Sequence, residues 1–350
     1  MINLKINPPL GLGLILLLIG LQNTLSAQDV SSSKILNSLY FGSCNRTDLD
    51  PKIWDTITDQ DPEVWVWLGD IVYSENGNMK DLSEKYALQK QLPAYKELAE
   101  NTTIFGVWDD HDFGENDAGV SFSKKKESRK LLFDFLEIPK NHPAQERDGA
   151  YQSYCFGRGA QRVCLYLLDV RYFKEDYEKD PSPNQRYKKN KGLLLGTDQW
   201  NWLEKELSAN DATINLFAGG IQLLSSEHPY EKWANFPLAQ KRFFDLLVKY
   251  SIQTPIYLSG DRHIAEVSSQ EIKPNYWIYD ITSSGLTHSY DSLEDEPNQY
   301  RISPLLTMLN FGKIERDRKK RDRNKHKIKV ESIAKISGIP PNFWRQIYIQ

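Results

Sequence analysis

Ten consecutive residues, Val64-Trp65-Val66-Trp67-Leu68-Gly69-Asp70-Ile71-Val72-Tyr73, restrict the fold more than any other stretch of the chain. Five uninterrupted apolar residues, β-branched and aromatic, stop at a glycine followed by an aspartate. This is the pattern of a strand buried on both faces that ends in a turn. In α/β folds ligands bind outside the carboxyl ends of such strands, where a carboxylate on rigid backbone faces a crevice. Tyr73 reaches the same crevice. Turn chemistry alone, with Asp70 tightening the loop, explains the Gly-Asp pair equally well, so the other unusual residues have to decide.

They recur at the ends of further apolar runs. A short strand from Ile35 to Phe41 leads into Gly42-Ser43-Cys44-Asn45, and Thr103 to Trp108 ends in Asp109-Asp110-His111-Asp112. Four adjacent ionisable residues beside a buried strand are costly unless a cation compensates for their charge. Val163 to Leu168 stops at Asp169-Val170-Arg171, Ile214 to Ala218 at Gly219-Gly220-Ile221-Gln222, and Ile256 to Leu258 at Ser259-Gly260-Asp261-Arg262-His263. Tyr276 to Thr282 is one more strand, followed by Ser283-Ser284-Gly285-Leu286-Thr287-His288.

Helical patterns separate these strands. They cover 51–58, then 81–101 with a break at Pro93, then a helix capped by Ser121 and reaching Leu136. A helix capped by Thr197 turns Trp200, Leu203 and Leu207 inward, and another runs over 237–250 with proline at its first position. Strands alternating with helices define βαβ units and a layered α/β architecture.

Length and charge bound what this architecture serves. A chain of 350 residues buries a sizeable core, and a net charge of -3 with a pI near 6.1 gives no general attraction to nucleic acid, so no nucleic-acid complex is expected. The apolar run from Leu10 to Leu21 falls short of the roughly 20 residues that span a bilayer. It fits a cleaved secretory signal over 1–27, which implies a periplasmic or extracellular mature chain with no integral span; an uncleaved anchor is the other reading. Residues 28–34 are polar and read as disordered, and 176–191 as a surface loop.

There are three cysteines, an odd number for an exported chain. Cys155 and Cys164 flank a hairpin-like stretch turning at Gly159-Ala160, which is compatible with a disulfide and equally with two buried thiols. From Lys313 to Lys329 ten Lys or Arg face three acids. This reads as a solvated C-terminal hairpin over 313–350, or as a surface for anionic partners.

Collected in order, the strand ends offer Cys44, Asp70 with Tyr73, Asp110 with His111, and Asp261 with His263. One sulfur, oxygen and nitrogen set beside carboxylate-rich positions suggests two metal ions, with Asp70 able to bridge them. Paired metals about 3.5–4 Å apart suit in-line displacement at phosphorus, and a nearby imidazole suits protonation of the leaving alkoxide.

These blocks resemble those of the alkaline phosphatase D-like (PhoD-like) group of calcineurin-type metallophosphatases. The resemblance rests on Phe41-Gly42-Ser43-Cys44-Asn45, Gly69-Asp70-Ile71-Val72-Tyr73, Trp108-Asp109-Asp110-His111-Asp112 and Leu168-Asp169-Val170-Arg171. It extends through Leu195-Gly196-Thr197-Asp198-Gln199-Trp200, Ser259-Gly260-Asp261-Arg262-His263 and Thr282-Ser283-Ser284-Gly285-Leu286-Thr287-His288, in the family's order. It implies a four-layer α/β sandwich, two central sheets flanked by helices, over 28–312 with the C-terminal hairpin as an extension. It also implies a phosphoric ester hydrolase, acting on mono- or diesters through a hydroxide bridging two metals.

By the same resemblance, Cys44, Asp70, Tyr73 and His263 would hold a ferric ion, and Asp70, Asp110 and Asp261 a calcium ion. Asn116 would be a neighbour of the second site. His111 matches the histidine that contacts phosphate and serves as general acid, and Arg171 and Gln222 fall beside matching blocks. The wider superfamily places a histidine on the middle strand where Gln222 stands here, with His228 six residues later. An oxygen-rich second site favours a hard ion over zinc.

Blander readings accompany each residue. Cys44 as a small buried hydrophobe, Tyr73 as a core aromatic and His288 as a loop cap are the structural alternatives. A non-catalytic exported protein of this fold, binding anionic partners through its basic hairpin, is the alternative for the whole chain. No Gly-x-Ser-x-Gly elbow or phosphate-cradling glycine loop supports a serine hydrolase or an ATPase.

Overall fold

The computed structural model describes residues 30–74, 76–182, 184–293 and 295–316, together with strands at 328–334 and 344–349. The expected leader over 1–27 and most of the basic run, 317–327, lie outside the described residues. The first part of the chain runs through β1 (Val30–Ser32), β2 (Ser38–Gly42), α1 (Ile53–Thr58), β3 (Val64–Leu68), α2 (Met79–Gln91), α3 (Pro93–Asn101) and β4 (Thr103–Val107). A short α4 (Asp110–Phe113) and α5 (Lys125–Phe135) lead to the antiparallel pair β5 (Gln152–Phe156) and β6 (Val163–Leu167). Then come α6 (Gly196–Ser208), β7 (Ile214–Gly219), α7 (Pro237–Lys249) and β8 (Pro255–Ser259). The last strands are β9 (Ala265–Lys273), β10 (Tyr276–Ser283), β11 (Asn310–Arg316), β12 (Ile328–Ala334) and β13 (Trp344–Ile349).

The strands form two sheets. One has the order β1-β5-β6-β7-β8-β10-β9, the other β13-β12-β11-β2-β3-β4. Side-chain alternation along each central strand explains why both faces are covered. On β3, Val64, Val66 and Leu68 point between the sheets, whereas Trp65 and Trp67 point out under the helices. On β6, Val163, Leu165 and Leu167 face inward, and Cys164 and Tyr166 outward.

Helices α1, α2, α3 and α5 cover the second sheet through Trp54, Leu82, Tyr86, Leu98 and Leu132, and α6 and α7 cover the first through Trp200, Leu203, Phe243 and Leu247. The result is the four-layer α/β sandwich expected from the sequence. Trp54 meets Trp65 and Trp67 at ring separations of 5.2 and 5.1 Å, and Tyr95 meets Trp67 at 5.9 Å. Burying each ring contributes on the order of 2–3 kcal/mol.

Local departures have local causes. The chain breaks at Pro93 as expected, with Leu92 extended between α2 and α3 and the proline at the first position of α3. Ser121 does not cap α5: Phe122 turns back onto Gly119 and packs on Phe113, so the helix starts at Lys125. Nor does Thr197 cap α6, which already begins at Gly196. Residues Val30–Ser32, read as disordered, pair with β5 through backbone bonds that need no apolar side chains.

Strand β9 escapes a hydrophobic reading because it lies at a sheet edge and its second half is polar and exposed. The second sheet is extended antiparallel by β11, β12 and β13, and β11 runs unbroken across position 312. Cys155 and Cys164 face each other across β5 and β6 and are joined as a disulfide, while Cys44 is buried and free. Among the described residues no helix is long and apolar enough to cross a membrane.

Candidate metal centre

The parallel strands β2, β3 and β4 of one sheet and β8 of the other end side by side, and the residues that follow them converge. Asp70 is the meeting point. Its Oδ2 accepts from the Tyr73 hydroxyl at 2.8 Å and lies 3.5 Å from Cys44 Sγ, and its Oδ1 faces the backbone N–H of His111 at 3.4 Å. Ligand atoms of Asp70, Asp110 and His111 lie within 4.8 Å of one another, as do those of Asp109, Asp110 and Asp261. Tyr73 and His263 stand 6.5 Å apart, ring to ring. All six expected ligands therefore face one cluster.

The backbone around them is unusual. Cys44, Asp70, Asp261 and His263 adopt φ of 61°, 49°, 66° and 55°, the left-handed region that side chains disfavour by about 1–3 kcal/mol each. Gly69 has φ of 83°, and a Cβ there would meet Asp109 at 2.4 Å; one at Gly220 would meet Asp109 Oδ1 at 2.2 Å. Only glycine lets these strand ends close on the Asp109 carboxylate.

Cross-links hold the loops in place. Asp112 accepts from the N–H groups of Asp109 at 2.7 Å, Asp70 at 3.1 Å and Ile71 at 3.3 Å. Asn45 N bonds the Asp70 carbonyl at 2.9 Å, and Gly260 N bonds that of Gly220 at 2.7 Å. In α6, Gln199 bonds both backbone groups of Asp169 and so fixes the turn that carries Arg171.

Charge behind the site is balanced. Arg171 is fully buried, with Nε donating to Asp109 Oδ1 at 2.5 Å and its two terminal nitrogens to Glu231 at 2.8 and 2.6 Å. Lys174 lies 3.3 Å from the same glutamate. Burial opposes the charged form of Glu231, but Arg171 and Lys174 outweigh it and hold the carboxyl down to about 2. Asp117 approaches Asp110 through its own N–H at 2.8 Å, and its carboxylate is taken by Tyr187 and Arg186. Asp110, Asp117 and Glu231 also cluster; Arg171 and Lys174 pair with Glu231, but burial and then Glu231 still push the Asp117 carboxyl up to about 7.

At the centre itself the nearby cations, Arg262 and Arg171, offset burial and like charge only in part. Burial first, then Asp110 and Asp261, push the Asp70 carboxyl well above the usual carboxylate range, and burial pushes Asp261 up to about 7. Burial raises the Cys44 thiol and the Tyr73 phenol, and lowers the His263 imidazole to about 3. Asp109 Oδ2, Asp110 Oδ1 and His263 Nδ1 are buried without a hydrogen-bond partner. Crowded carboxylates with orphaned oxygens, beside a thiol, a phenol and an imidazole, fit bound cations.

The remaining candidates lie at the periphery. Arg171 is behind the carboxylates, its donors committed to them. Gln222 is buried, donates to Glu266 at 2.8 Å and Thr282 at 2.7 Å, and leaves its Oε1 unpartnered. Asn116 is exposed, and Asp117 beside it makes the contact with Asp110. Asp109, Asp112, Asp117 and Glu231 have no place in the ligand set read from sequence. The run of ionisable residues after β4 signals the first two; Glu231 sits in a loop that carries no pattern.

Solved structures share this architecture. One described as the structure of PhoD matches at 15% identity with a TM-score of 0.63, covering 91% of this chain and 72% of that one. A dimetal phosphatase from Danio rerio matches at 11% identity with a TM-score of 0.53, covering 90% of this chain and 99% of that one. Comparison with curated protein sequences finds no match. These structural likenesses establish the fold. The model of the PhoD-like phosphatases matches residues 39–296, and the chain belongs to that family. It is a phosphoric ester hydrolase built around a metal centre.

Proposed function

We propose that this chain is an exported hydrolase of phosphate mono- or diesters whose centre would take a ferric ion on Cys44, Asp70, Tyr73 and His263 and a calcium ion on Asp70, Asp110 and Asp261. The observation that carries the reading is that two chemically different donor sets meet on one carboxylate. Asp70 lies 2.8 Å from a phenol and 3.5 Å from a thiol, and it also belongs to the 4.8 Å group with Asp110 and His111. Thiolate and imidazole suit a transition metal, whereas clustered carboxylates suit a hard ion.

When bound, such a pair of ions lowers the pKa of water and sets positive charge against the phosphoryl oxygens. The chain supplies the rest. His111 is half-buried with its ring 4.1 Å from that of Tyr73, an orientation that suits a proton donor to the departing alkoxide. Arg171 fixes Asp109 in place through its Nε–H, and the left-handed residues hold the ligands ready before substrate arrives. Asn116, which is exposed, and Gln222, whose amide donates to Glu266 and Thr282, stand outside the proposed ligand sets. Export is supported by the Cys155–Cys164 disulfide, which persists in oxidising compartments.

The test is hydrolysis of p-nitrophenyl phosphate and bis-p-nitrophenyl phosphate by the mature chain, with and without calcium. Turnover of one or both, dependent on calcium and reduced a hundredfold to a thousandfold in Asp70→Asn with unchanged circular dichroism, is expected. Wild-type turnover in that variant would remove Asp70 from the site, and no turnover by protein carrying both metals would reject the reading.

A further inference from the structure

A chain of five rings links the centre to the surface. His111 lies 4.1 Å from Tyr73, Tyr73 5.2 Å from His288, His288 4.3 Å from His263, and His263 4.8 Å from Tyr290. The first two and His263 have roles in the centre; His288 and Tyr290 have none. Both are nevertheless fixed to ligand-bearing segments. The N–H of Tyr290 donates to the His263 carbonyl at 3.0 Å, and the neighbour of His288, Thr287, bonds Cys44 and Arg46 through its backbone and hydroxyl.

Tyr290 is 39% exposed. Among the described large hydrophobic side chains that face solvent, only Tyr290 and Trp277 are aromatic, and Trp277 belongs to the β9–β10 hairpin. An aromatic face held by backbone beside a metal ligand and left open to water is well suited to stack on another planar ring. An ester substituent reaching from a phosphoryl group at the centre toward the surface on this side would meet the Tyr290 ring.

We propose that Tyr290, with His288 beside it, is the seat for a planar aromatic leaving group, an aryl or nucleobase ring, and so sets substrate preference. This rests on the hydrolase reading. The alternative, that Tyr290 only shields His263 from solvent, predicts a loss that is the same for every ester and accompanied by loss of metal.

The experiment compares wild type, Tyr290→Phe and Tyr290→Leu, all metal-loaded, on p-nitrophenyl phosphate, adenosine 5′-monophosphate and glycerol phosphate. In Tyr290→Leu, kcat/KM is expected to fall about tenfold on the two aromatic esters, mainly through KM, and to stay within about twofold on glycerol phosphate. Tyr290→Phe should keep wild-type values, and both variants wild-type metal content. An equal loss on all three esters, or no loss on the aromatic pair, overturns the proposal. If wild type hydrolyses neither these nor bis-p-nitrophenyl phosphate, the hydrolase reading fails. Calorimetric binding of adenosine monophosphate against glycerol phosphate then still tests the ring seat, and equal affinities reject it.

Discussion

Arg171 shows how much the centre depends on a residue that faces away from it. Its guanidinium spans Asp109 and Glu231 with side-chain exposure of zero, a geometry that a lysine ammonium cannot reproduce. Arg171→Met would leave two buried carboxylates with Lys174 as their remaining cation. Breaking a buried pair this way costs about 3–5 kcal/mol, which urea denaturation of the variant should register. A loss under about 1 kcal/mol would mean that the carboxylates protonate or relax freely. The residues at strand ends were legible from sequence because an apolar run followed by a polar ligand type is a local pattern. Glu231, and the commitment of Arg171 to it, were not, because their pairing is made across loops that no periodicity announces.

Among the elements, the β5–β6 pair carries the only disulfide within the described residues, closing a loop with a sequence separation of 9. Cys155→Ser with Cys164→Ser is expected to lower stability by about 2–3 kcal/mol by freeing the unfolded chain. Dithiothreitol should have the same effect on wild type, and an unchanged unfolding midpoint under reduction would show that the bond contributes nothing. Strand identity was readable wherever both faces are buried, as on β3 and β6, since such strands are nearly continuous apolar runs. Helix starts were less so: α5 begins where Phe122 packs, a tertiary contact that overrides the serine upstream. Edge strand β9, apolar only where it enters the sandwich, gave too short a signal.

At the scale of the molecule, the centre joins the two sheets, so loading it should alter global stability. Without metal, the folded chain keeps protons on Asp70 and on Asp261, whose carboxyl is raised to about 7, while the unfolded chain releases them near pH 4. The sign follows: these groups favour the metal-free fold below about pH 4, and that contribution is lost as pH rises through 7. A bound cation replaces the protons and removes the loss. Chelation is therefore expected to lower Tm, with a gap between loaded and chelated protein that widens from pH 5 to pH 8. A constant gap would show that the carboxylates do not titrate with the fold.

The route of the chain through the centre bears on how the protein is made. Cys44 follows an early strand of one sheet, and Asp261 and His263 follow a late strand of the other. On the proposed ligand sets, no fragment emerging during synthesis owns a complete set of donors, and ions would be captured only once nearly the whole sandwich has closed. The compartment in which folding finishes, with whatever metals it holds, thereby chooses the cargo.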